Sequence, residues 1–137
     1  MGQLGGGDSI NSGGRMLSLE REFDAEPNSV REVRHFLEGA AEGVARLDDI
    51  VIVASELASN VVRHARTEFS VRLTTDADLI RLEVSDGSSI VPAVEDLADR
   101  KFGLRIVEAA AHQWGIESKP TGKTVWVEFL SQPPAPE

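Results

Sequence analysis

Apolar residues recur along this chain with two different periods, and the order in which those periods change constrains the fold more than any other feature. Leu17, Leu19 and Phe23 alternate with Ser18, Glu20 and Glu22, the spacing of a strand with one buried face. Val30, Val33, Phe36, Leu37, Ala40 and Val44 then recur at three and four, after a capping-box pattern of Ser29 and Glu32 just beyond Pro27. This predicts a helix ending near Gly43 to Arg46. A second helix is expected from Asp48 or Asp49 as N-cap, through Ile50, Ala54, Leu57 and Val61, to about Ala65. Phe69, Val71 and Leu73, then Ile80, Leu82 and Val84, alternate on either side of a polar turn at Asp76 to Asp78 and read as a hairpin. Gly87 to Phe102 reads as a loop, with a short helical turn expected around Val94 to Ala98. Leu104, Val107, Ala110 and Ala111 mark a third helix. A strand near Trp114 to Glu117, a turn at Pro120 to Lys123 and a strand of Val125, Val127 and Phe129 complete the pattern. The order of strand, two helices, two strands, loop, helix and two strands predicts an α/β sandwich, with helices on one face of a mainly antiparallel sheet.

The 137 residues are the length of one domain, expected over 15–131. Residues 1–14 are polar and glycine-rich and read as a flexible arm, and 132–137 as a proline-rich tail. Lys and Arg number 14 against 23 Asp and Glu, a net charge of −9, which argues against general binding to nucleic acid or to an anionic membrane. The chain has no cysteine, which removes disulfides, thiolate zinc sites and cysteine nucleophiles and fits a cytoplasmic address. Its longest wholly apolar run, Ile50 to Ala54, is too short to span a bilayer.

Three constellations carry possible chemistry. Glu56, Asn60 and His64 lie at i, i+4 and i+8 of the second helix, drifting about 80° around its axis to form one polar stripe. Such a stripe suits a solvated helix face. It also suits catalysis, because an amide carbonyl is a hard ligand for Mg²⁺ and a carboxylate one turn away can accept a proton. Asp86 shares the parity of Ile80, Leu82 and Val84, so its carboxylate faces the apolar side and needs a partner. With Gly87 it forms either an ordinary strand-ending turn or an acceptor aimed at a ligand's amino group. Gly103 opens the third helix, an ordinary start that also exposes amides able to meet an anion. Gly122-Lys123-Thr124 imitates the end of a P-loop, but Glu117 stands where the earlier glycine is needed and a strand follows, so it reads as a hairpin turn. His35, His64 and His112 lack the close-set partners of a zinc site.

Taken in order, Glu56-Leu57-Ala58-Ser59-Asn60 through His64-Ala65, Val84-Ser85-Asp86-Gly87-Ser88, Gly103-Leu104-Arg105-Ile106-Val107, Trp114-Gly115 and Gly122-Lys123-Thr124-Val125-Trp126 closely resemble the ATP-binding domain of anti-sigma-factor serine/threonine kinases. These belong to the gyrase, Hsp90, histidine-kinase and MutL superfamily. The resemblance covers about residues 16–130 and implies a two-layer Bergerat-type sandwich with about three helices on one face. It implies ATP and Mg²⁺ as cofactors, a sigma factor and an antagonist protein as partners, and a homodimer, for which the strand near Leu17 to Phe23, beside the flexible arm, offers an edge. On matching positions, Asn60 would ligate Mg²⁺, Glu56 would be the catalytic base, and Asp86 would accept from the adenine amino group. Gly87 would line the adenine pocket, Gly103 and Leu104 would meet the phosphates, and Thr124 would support the adenine end. The chain departs from the family pattern at Lys101, where members carry a lid glycine. Lys101 would place a mobile charge where backbone amides otherwise cradle phosphate. A partner-binding module with weak or lost ATP binding is the alternative that this departure implies.

Overall fold

The computed structural model describes residues 8–11, 14–90 and 104–132. The elements are β1 (Asp8–Asn11), β2 (Gly14–Phe23), α1 (Pro27–Ala40), α2 (Leu47–Asn60), a π turn (Val61–Ala65), β3 (Phe69–Asp76), β4 (Leu79–Asp86), α3 (Leu104–Ala110), β5 (Gln113–Lys119) and β6 (Gly122–Leu130). Among the described residues, six strands form one sheet in the order β1-β2-β3-β4-β6-β5, and every neighbouring pair is antiparallel. This is the mixed α/β, two-layer sandwich that the periodicity implies. β1 falls within the stretch read as an arm and pairs Asp8–Asn11 with Gly14–Leu17. Residues 1–7, most of the expected lid from 91 onward, its helical turn at Val94 to Ala98, and 133–137 lie outside the described residues.

The pleat sorts the sheet into two faces. Leu19, Phe23, Phe69, Val71, Leu73, Ile80, Leu82, Val84, Val127 and Phe129 face the helices and are buried with Val33 and Leu37 of α1, Ile50, Val53, Ala54 and Leu57 of α2, and Val107 of α3. Full burial of a side chain such as Leu37 or Phe129 contributes about 1.5–3 kcal/mol. Register follows from this burial, since a slip of one residue would turn a strand's whole apolar set outward. The opposite face is polar. There Arg81 donates to Glu83 and Glu128 at 2.8 Å each, and its guanidinium lies 4.6 Å from the Trp126 ring centroid. Burial opposes the Arg81 charge, but its hydrogen bonds to the two glutamates outweigh this and raise its pKa. Gly115 lies opposite Trp126, and a Cβ there would meet the indole at 2.7 Å, so the absent side chain admits the ring.

Helix boundaries differ from expectation for local reasons. α1 starts two residues before the predicted Ser29 cap, because Pro27 at the first turn already holds a helical φ. Ser29 Oγ donates to the Asp24 carbonyl at 2.7 Å instead of capping. α2 begins with Arg46 as N-cap in the left-handed region, φ 63°, rather than with Asp48 or Asp49, which occupy its first turn and complement the helix dipole.

Candidate functional site

α2 is the central helix, packed against α1, α3 and β4. Its buried residues are Ile50, Val51, Val53, Ala54, Leu57 and Ala58, which form one broad apolar face. The remaining stripe carries exposed Ile52 and half-buried Ser55, Glu56, Ser59 and Asn60. Glu56 and Asn60 therefore share one side of α2, one turn apart, as the spacing predicts. After Asn60 the helix widens into the π turn, closed where the Arg66 N–H donates to the Val61 carbonyl at 2.7 Å with Arg66 at φ 58°. Widened turns of this kind recur at functional sites. This one interrupts the straight helical extrapolation that put His64 on the Glu56 stripe, and His64 is exposed. Arg63 Nη2 donates to Asn60 Oδ1 at 3.3 Å, so the amide oxygen is presented beside a guanidinium.

The second half of the site is where β4 ends. Asp86 pairs with Lys123 across the β4–β6 ladder, and both side chains point to the helix-covered face. Asp86 Oδ1 accepts from the Ser88 N–H at 2.8 Å and from Lys123 Nζ at 3.1 Å, while Oδ2 lies 3.1 Å from the same ammonium. The Asp86 side chain is 2% exposed and that of Lys123 10%. Gly87 turns the chain away, and its N–H donates to Thr67 Oγ1 at 2.8 Å. Gly122 lies against the Asp86 carbonyl at φ +154°, where a Cβ would collide with that oxygen, so glycine permits the close approach that brings Lys123 alongside Asp86.

Thr124 is on the other face. It pairs with Ser85, their hydroxyls 2.7 Å apart, and does not share the side of the sheet that holds Asp86. Lys123, rather than Thr124, is the β6 residue directly opposite Asp86. The parity of Lys123 with Val125, Val127 and Phe129 was the signal that identifies it. Thr67 carried no comparable signal.

A profile of the histidine kinase-like ATPase domain matches residues 23–129, most of the chain and all the elements from the end of β2 to β6. The chain belongs to the histidine kinase-like ATPase family. The fold is also similar to the crystal structure of the RsbU and RsbW domains of Rv1364c from Mycobacterium tuberculosis, with a TM-score of 0.63 and 25% identity over 82% of this chain. The chain spans 31% of that structure's length. No curated protein matches it in sequence.

Membership in this ATPase family implies ATP as the ligand, and the two ends of the site fit it differently. At the α2 end, the Asn60 amide oxygen is a hard donor of the kind that Mg²⁺ takes, and it also accepts from the Arg63 guanidinium. At the β4 end Asp86 Oδ1 accepts from the Ser88 N–H and Lys123 Nζ while Oδ2 lies against the same ammonium, which leaves Oδ2 able to accept from a further donor. α3 starts at Leu104, as the sequence predicts, while Lys101 and Gly103 lie outside the described residues. Among the described residues, no group of three or more His, Asp and Glu could hold a metal ion on its own, and no helix is long and apolar enough to cross a membrane.

Proposed function

We propose that this chain is a serine/threonine protein kinase of the anti-sigma-factor type, which uses Mg-ATP to phosphorylate an antagonist protein and so regulates a sigma factor by partner switching in the cytoplasm. The observation that carries the reading is the pairing of half-buried Glu56 and Asn60 on the open stripe of α2. Glu56 takes the proton from the antagonist's hydroxyl as its oxygen attacks the γ-phosphorus, and ADP leaves. Asn60 would hold Mg²⁺ through its carbonyl oxygen, and the ion would supply neutralisation of phosphate charge. Leu104, at the start of α3, together with Gly103 and Lys101 would serve the phosphate end, with Asp86 and Gly87 at the base. A homodimer fits the edge of β2, which beyond Leu17 has no strand partner on its β1 side among the described residues.

A second reading, a partner-binding module without useful turnover, is favoured by the Lys123 ammonium held against Asp86. Glu56→Gln separates the two. It keeps the shape and hydrogen bonding of the side chain but cannot take the proton, so ATP binding should persist while phosphoryl transfer falls roughly 10²-fold or more. Absence of transfer by the wild-type chain to any antagonist, despite tight ATP binding, would favour the module.

A further inference from the structure

A hydroxyl ties the two ends of the site together. Asn60 closes α2, and the chain leaves it through the π turn, closed by the bond from the Arg66 N–H to the Val61 carbonyl at 2.7 Å. Arg66, left-handed at φ 58°, then turns the chain toward β3. Val61 before that residue and Phe69 after it are both buried, and the Phe69 ring stacks on Phe23 with centroids 5.4 Å apart, so the stretch between them is anchored at both ends. Thr67 lies in that stretch. Phe69 pairs with Asp86 at the end of the β3–β4 ladder, and beyond it Gly87 has no strand partner among the described residues. The Gly87 N–H donates instead to Thr67 Oγ1 at 2.8 Å. The same hydroxyl donates to the Glu68 carbonyl at 2.9 Å, so its one proton is committed and its rotation is fixed. A Cβ on Gly87 would stand 3.5 Å from the Thr67 Cβ, an ordinary contact distance, so the two residues also lie side by side. Thr67 therefore connects the segment that leaves Asn60 to the residue that follows Asp86.

From this we infer that Thr67 is a positioning residue for the nucleotide: its hydroxyl fixes the spacing between the metal end of the site at Asn60 and the base end at Asp86 and Gly87. The inference rests on the kinase reading, in which one Mg-nucleotide spans both ends. Thr67 acts through Gly87 and does not touch the ligand. A ligand held at two points binds tightly where those points already stand at its own spacing, because a loose site spends binding free energy on being ordered. Gly87 is exposed, so water can satisfy its N–H once the hydroxyl is gone. The loss then falls on the spacing of the site and not on the fold.

The test is calorimetric titration of the full chain with Mg-ATP for the wild type, Thr67→Val and Thr67→Ser, with urea unfolding of each. Valine keeps the branched shape beside Gly87 and lacks the hydroxyl, whereas serine keeps the hydroxyl. The expected result is that Thr67→Val weakens binding by roughly fivefold or more, that Thr67→Ser stays within about twofold of the wild type, and that all three share nearly one unfolding midpoint. Unchanged affinity in Thr67→Val overturns the inference, and so does Thr67→Ser binding as weakly as Thr67→Val. A loss of affinity matched by a fall in the unfolding midpoint gives Thr67 a part in the fold alone and overturns it too. Should Thr67→Val fail to fold, amide exchange of Gly87 in the wild type decides: Mg-ATP should slow it by about tenfold or more, and an unchanged rate refutes the link. These outcomes leave the nucleotide reading standing. A wild type that binds no Mg-ATP overturns that reading, and the inference with it.

Discussion

Removal of the Arg46 side chain should destabilise the domain by about 3 kcal/mol, although nothing about its place in the sequence marks it as central. Its Nη1 donates to the Leu130 carbonyl at 3.0 Å, Nη2 to the Ala110 carbonyl at 2.9 Å and Nε to Asp49 Oδ2 at 3.0 Å. One guanidinium therefore joins the start of α2 to the ends of α3 and β6. Hydrogen bonds from a charged donor contribute about 1.5–3 kcal/mol each. Both carbonyls lie at element ends where water can replace the lost donor, which favours the lower figure for each. The Asp49 partner is 46% exposed and adds little, about 0–1 kcal/mol. The Phe129 ring, 5.6 Å from the guanidinium carbon, adds a comparable amount. For a domain of this size, about 3 kcal/mol corresponds to a fall in Tm of roughly 10 °C. Urea unfolding followed by circular dichroism measures it, and Arg46→Gly is the informative control. Both variants lose the contacts, but glycine also relieves the left-handed backbone at φ 63° and should be about 1 kcal/mol more stable than alanine. A loss below about 1 kcal/mol for Arg46→Ala would refute the clamp, and equal stability of the two variants would refute the backbone argument.

Two further outcomes are expected. Asn60→Ala should weaken Mg-nucleotide binding by roughly tenfold or more while leaving the unfolding midpoint nearly unchanged, since its side chain is half-buried on the open stripe of α2; unchanged nucleotide affinity by titration would remove Asn60 from the site. Gly115→Ala should cost about 1–3 kcal/mol, because the new Cβ meets the Trp126 indole at 2.7 Å, and the displaced ring should alter the intrinsic fluorescence; a variant as stable as the wild type would show that the ring yields freely.

Hydrophobic period made the architecture legible because each element buries one face, and burial writes its period into the sequence. Val125, Val127 and Phe129 announce a strand, and Ile50, Ala54 and Leu57 a helix, whatever they contact. Glu56 and Asn60 were legible for the same reason, being polar positions on the side of the helix opposite its buried face. Interactions between residues distant in sequence left no such trace. Arg46 reaches Ala110 and Leu130, separations of 64 and 84 residues, and no local pattern prepares for either. The π turn after Asn60 was hidden because an i→i+4 pattern and a widened turn share the same apolar residues until the backbone is known. Lys123 was readable in principle but needed the β4–β6 register, which alone sets Asp86 opposite it.

That register also explains why a lysine can stand beside Asp86 at all. A slip of β6 by one residue along β4 would bring Thr124 to Asp86 and carry Lys123 to the polar face, but it would also turn Val127 and Phe129, both fully buried, out of the core. Losing the burial of those two side chains costs about 3–6 kcal/mol. The net contribution of a buried ion pair, after desolvation of both charges, is small and can be of either sign. The hydrophobic set of β6 therefore holds Lys123 against Asp86, and the charge pair is a consequence of the register rather than its cause. Substitution at position 123 can then change the charge beside Asp86 without moving the strand that presents it.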